Sequence, residues 1–123
     1  MDVRQVPEGE MMTVKEAIEK ANILRPNDVP DELKVDELLR LDMEYADFMD
    51  SDCYQDGENT VLIVPEPYSA LYVSFTMAFI DSAQEDSALY ANDSSAFAND
   101  EARFKAWYGR NFRRKGANWR VGL

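Results

Sequence analysis

Histidine is missing from this 123-residue chain, and cysteine occurs once, at Cys53. Without histidine the chain lacks the commonest acid–base group at neutral pH and the commonest transition-metal ligand. One thiol closes no disulfide within the chain and, with no histidine beside it, does not make a zinc set. A reducing compartment is the simplest expectation from Cys53. Glycine and proline are sparse, five of each, and no Gly-rich phosphate loop, Gly-x-Ser-x-Gly elbow or Walker pattern occurs. Long hydrophobic runs are missing too. The longest, residues 70–80, is interrupted by Ser74 and Thr76. It is too short to cross a membrane and predicts a buried helix. Met1 to Gln5 lead into acid, not into an apolar stretch, so no signal peptide is expected. A calcium loop is suggested at residues 50–57, with Gly57 as its turn glycine. It fails because Tyr54 and Ile63 stand where ligands are required. No catalytic residue, cofactor or metal ligand stands out, and a non-enzymatic role is the expectation.

Acidic residues are missing from the end of the chain. All 24 lie at or before Glu101. Residues 1–102 hold six basic residues against those 24 acids, a net charge of −18, and residues 103–123 carry +7, which together make the overall −11. A basic tail on an acidic body calls for an acidic partner. That partner is a protein, a phosphate backbone or the acidic body of a neighbouring copy. Trp119 and Leu123 are apolar residues in the tail with no core nearby in sequence. Tryptophan and arginine are enriched at interface hot spots, which makes Arg110, Arg113, Arg114, Lys115, Trp119, Arg120 and Leu123 a candidate docking element.

The length fits one domain. A loose N-terminal arm is expected at residues 1–12, a helical domain at 13–112 and the basic tail at 113–123. Thr13 and Glu16 make a capping box. Val14, Ala17, Ile18, Ala21 and Leu24 then mark one face of a helix that Pro26 stops. A second helix is expected to start near Asp28 and Pro30, capped by Asp28, with Pro30 in its first turn. Its buried face is expected to carry Leu33, Leu38, Leu41, Tyr45 and Phe48 or Met49. Its solvent face is expected to carry Asp36, Glu37, Asp42, Glu44 and Asp47. Residues 50–59 predict a mobile acidic loop. Residues 60–64 predict a short extended segment, which needs a backbone partner in the loop or in a neighbouring copy. Third and fourth helices are expected over 68–83 and 86–112. Tyr90, Phe97 and Phe104 repeat every seven residues along the fourth, an aromatic stripe facing the third. Leu71, Phe75, Phe79, Phe97 and Phe104 are expected to be buried between the two. The fold class is therefore all-α, a small bundle of about four helices with an acidic loop, a short extended segment near 60–65 and a basic C-terminal tail.

Pro65, Pro67 and Tyr68 open the third helix, Leu71 and Tyr72 follow, and Ile80-Asp81 sits near its end. With the aromatic-rich helix after it, this pattern resembles the small head–tail connector (head completion adaptor) proteins of tailed bacteriophages over roughly residues 13–110. The resemblance implies an all-α subunit that forms a ring of about twelve copies beneath the portal protein. Such a ring extends the channel for packaged double-stranded DNA and docks the next adaptor or a tail-terminator protein. It implies a place in the virion at the head–tail junction, assembly in the host cytoplasm, and no membrane partner. An acidic lumen would let DNA slide by repelling its phosphates. The alternative reading is a small acidic regulatory or DNA-mimicking protein that binds a basic partner. A DNA-binding module at residues 110–120 is a third reading, opposed by a body of −18.

Overall fold

The computed structural model describes residues 11–112. Four helices make up the architecture: α1 (Val14–Leu24), α2 (Asp31–Phe48), α3 (Ala70–Ala83) and α4 (Ser87–Asn111). No strand forms among the described residues, so the all-α class is what the chain adopts. Local chemistry sets most helix ends. The Thr13 side chain accepts from the Glu16 amide at 3.1 Å and Glu16 Oε1 accepts from the Thr13 amide at 2.9 Å, closing the capping box. Between α3 and α4, Asp86 N–H donates to Asp81 O at 2.9 Å and Glu85 N–H to Ser82 O at 3.1 Å, a Schellman ending with Glu85 at φ 59°. Asp86 then caps α4 by accepting from the Leu89 amide. Three residues thus end one helix and start the next, and α3 and α4 lie antiparallel in the most extensive helix contact of the molecule.

The core runs through Val14, Ile18, Leu38, Leu41, Tyr45, Leu62, Val64, Leu71, Tyr72 and Phe104. Met12, expected in the loose arm, is buried in this core. Phe104 is its aromatic centre, with ring centroids 5.6 Å from Tyr45, 6.1 Å from Phe48 and 6.4 Å from Tyr68. The seven-residue stripe is therefore graded. Phe104 is buried, Phe97 is half-buried against Phe75 at 5.3 Å, and Tyr90 is exposed. Phe75 and Phe79 are half-buried as well, short of the full burial expected, because α2 covers only part of α3 and a groove lies open over both rings.

Several expectations about α1 and α2 need correction. Leu24 is exposed, since Pro26 ends the helix before another element covers it. Pro30 sits at the N-cap of α2, not in its first turn, and Asp28 makes no cap there. Leu33 is exposed while its neighbour Lys34 is buried. Lys34 Nζ donates to Asn22 Oδ1, Asn27 Oδ1 and Asp31 Oδ1 at 2.7–2.9 Å, so each of its three protons has an acceptor. Asp42, expected on the solvent face, is fully buried.

Residues 60–64 find their backbone partner ahead of α1. Val14 N–H donates to Thr60 O at 2.9 Å and Leu62 N–H to Met12 O at 2.8 Å, around a bridge between Thr13 and Val61. The acidic loop before them is tied at several points. Gln55 Nε2 donates to Leu39 O, and Thr60 Oγ1 accepts from Asp56 N–H and donates to Gly57 O. Gly57, at φ 53°, takes the left-handed turn position that suits glycine.

Candidate functional site

The motif residues form the joints of the bundle. Pro65 is buried and Pro67 exposed, and Tyr68 N–H closes the turn between them onto Pro65 O at 2.9 Å, across a cis Glu66–Pro67 bond. Tyr68 lies half-buried on Trp107, 5.2 Å between centroids, and so ties this turn to the end of α4. Leu71 and Tyr72 are fully buried one turn on.

Tyr72 serves a buried polar joint. Its hydroxyl donates to Asp42 Oδ1 at 2.6 Å and accepts from the Val64 amide at 3.0 Å. The same Asp42 oxygen accepts from the Ile63 amide at 3.3 Å. One tyrosine and one aspartate thus satisfy the two amides that extended residues 63 and 64 turn toward the helices, where no strand supplies carbonyls. Among the described residues, Asp42 Oδ2 has no hydrogen-bond partner. Burial pushes the Asp42 carboxyl up to about 6, with the bonds from Tyr72 and Ile63 acting the other way. Burial and the adjacent Asp42 also push the Tyr72 phenol up. Tyr72→Phe is expected to lower stability by about 2–3 kcal/mol, since it leaves the Val64 amide and the Asp42 carboxyl short of a partner. Urea denaturation checks this, and an unchanged midpoint would mean the joint contributes nothing.

Asp81 anchors a second joint. It is fully buried and accepts from Arg25 Nε at 3.0 Å, while Arg25 Nη2 donates to Asp93 Oδ2 at 2.6 Å. One guanidinium past the end of α1 therefore holds carboxylates from α3 and α4. Burial raises the Asp81 carboxyl to about 6, the neighbouring Asp93 adds to the shift, and Arg25 opposes it. Two carboxyl groups share one cation here, so the joint carries a surplus negative charge when both are ionised.

Arg110 is exposed in the last turn of α4, where a cation complements the helix dipole. Arg113, Arg114, Lys115, Trp119, Arg120 and Leu123 lie outside the described residues. Buried Asp42, Asp93 and Lys34 and half-buried Arg25 are charged residues that sequence reasoning did not select. Their signal was positional. Lys34 and Asp42 stand four residues either side of Leu38, and Asp42 three before Tyr45, on the helix face that buries. Asp93 stands four before Phe97.

The outer surfaces differ in character. On α2, Asp36, Glu44 and Asp47 are exposed, and Arg40 pairs with Glu37 and Glu44. An open, mostly apolar groove of about 500 Å³ runs between α1 and α3, with Lys20 and Glu66 among its lining residues. Among the described residues, no three acidic, histidine or cysteine side chains gather as a metal site, and no helix is long and apolar enough to cross a membrane. Comparisons of the chain with protein-family models, with curated proteins and with solved structures find no match.

Proposed function

We propose that this protein is a structural head–tail connector of a tailed phage. It forms a ring of about twelve copies beneath the portal and carries the DNA channel on to the next adaptor or the tail. The observation that carries this reading is where the motif falls. Pro65, Tyr68, Leu71, Tyr72 and Asp81 all work inside the fold, joining α3 to α2, to α4 and to the end of α1. The resemblance therefore rests on residues that set the architecture, and the outer faces stay free for partners. The charge split supports the same reading: an acidic body suits a channel wall that repels phosphates, and a basic tail suits an acidic neighbour.

Electron microscopy of the purified protein mixed with assembled portal tests the proposal. A ring of about twelve copies on the portal is expected, with monomer in its absence, since a net charge of −11 opposes self-association without a template. No binding to assembled portal, or a 1:1 complex with a single portal subunit, would overturn it. The acidic outer face of α2 favours the DNA-mimic alternative. That reading predicts instead a tight complex with a basic nucleic-acid-binding protein, displaced by duplex DNA.

A further inference from the structure

We propose that Asp81 and Asp93 share a single proton on the one guanidinium of Arg25, and that this proton closes a pH-sensitive clasp holding the first half of α4 to α3 and to the end of α1. The inference stands apart from the connector reading.

The first half of α4 has little else to hold it. Of the helix's 25 residues only Asp93 and Phe104 are buried, and Phe104 belongs to the second half. Phe97, half-buried on Phe75, and Asp100, which accepts from Ser74 Oγ at 3.2 Å, come after the clasp. Tyr90, before it, is exposed. Asp93 is therefore the one buried contact between the α3–α4 turn and Phe97.

The charges at this contact do not balance without a proton. Arg25 donates from Nε to Asp81 Oδ1 at 3.0 Å, from Nη2 to Asp93 Oδ2 at 2.6 Å and from Nη1 to Leu24 O at 3.1 Å. Asp81 Oδ2 is buried and receives no hydrogen bond among the described residues. No second cation faces it. Glu85 and Asp86 of the turn line a small pocket with Asp81 and are acidic themselves. Lys34 of α2 comes as near as Asn27, whose amide donates to Arg25 O, but its own acceptors are Asn22, Asn27 and Asp31. One proton makes the joint neutral and supplies the missing donor. It belongs on Asp81, the more buried carboxyl, which donates it from Oδ2 to the Asp93 carboxylate. Burial and that hydrogen bond are the two largest causes raising the Asp81 carboxyl to about 6. As pH rises through that value the proton passes to solvent, two carboxylates are left on one cation, and the clasp loosens.

Hydrogen exchange of the full chain, followed by NMR, tests this. Amides of residues 90–96 are compared with those of residues 101–108, so that changes in global stability, including those from Asp42, cancel. A carboxyl at about 6 in the closed clasp and 3.8 in the open one lowers the relative protection of residues 90–96 about tenfold between pH 5 and 7.5. Asp93→Asn keeps an acceptor for Arg25 and gives Asp81 Oδ2 a permanent donor. It is expected to hold residues 90–96 equally well at both pH values, and better than the unmodified chain at pH 7.5. Asp81→Asn supplies the same donor in the reverse direction and is expected to behave alike. Asp93→Ala is expected to leave residues 90–96 poorly protected throughout. A flat profile in the unmodified chain, or weaker protection in both asparagine variants at both pH values, would mark an ordinary ion pair and overturn the inference. Full protection in Asp93→Ala would show that this joint does not hold the helix, and would overturn it too.

Discussion

Phe104→Ala is expected to lower the stability of the folded chain by about 3–5 kcal/mol, a large share of the roughly 5–15 kcal/mol that keeps a domain folded. Phe104 is fully buried and gathers rings from three regions: Tyr45 and Phe48 of α2, Tyr68 from the turn before α3, and Trp107 and Tyr108 from its own helix. Its removal opens a cavity between helices tied by other joints, which limits how far they can collapse into it. Phe97→Ala should cost roughly half as much, because Phe97 is half-buried and has solvent on one side already. Urea denaturation of both variants measures the difference. Equal losses would show that the core is not centred where the ring contacts put it.

Arg25→Ala is expected to cost about 3–5 kcal/mol near pH 7, since it leaves two buried carboxylates facing each other with no cation. The loss has a ceiling, because Asp81 can take up a proton in place of its lost partner. For that reason the cost should shrink to about 1 kcal/mol by pH 5. The unmodified protein should show a related dependence. Asp42 and Asp81 both have folded-state values raised to about 6 from an ordinary value of 3.8. The folded chain then binds more protons than the unfolded chain between those values. The stabilisation is fully present below the ordinary carboxylate range and is lost as pH rises through about 6. Asp42 accounts for up to about 3 kcal/mol, at 1.4 kcal/mol per pH unit of displacement, and Asp81 acts in the same direction. Asp31, held low by Lys34, has the opposite sign and loses its contribution only below the ordinary range. Melting temperature is therefore expected to be higher at pH 5 than at pH 7.5. Asp42→Asn should flatten the profile, because its amide keeps an acceptor for Tyr72 and Ile63 and carries no charge. A profile rising from pH 5 to 7.5 would show that these carboxyls are not charged and buried as the geometry places them.

The sequence by itself determined the four helices and those ends set by residues within one turn of each other; the start of α2 is an exception. The Thr13–Glu16 box, Pro26 after α1, the acids in the first turn of α2 and the Asp86 cap are all local signals, and each lies where its residue types require it. The aromatic spacing along α4 was legible for the same reason. Only the tertiary structure decided which polar residues go inside. The amides of residues 63 and 64 needed acceptors, and those came from Asp42, 21 positions away in sequence, and from Tyr72. Arg25 found its carboxylates 56 and 68 positions on. Helical position marked Asp42 and Lys34 as interior, while their charge argued for solvent. Position prevailed because packing offered each a set of partners, and a buried polar group that is hydrogen-bonded is tolerated where a bare one is not. The partner of residues 60–64 was likewise decided by the fold: residues 12–14, just ahead of α1, lie alongside them, nearly fifty positions away in sequence.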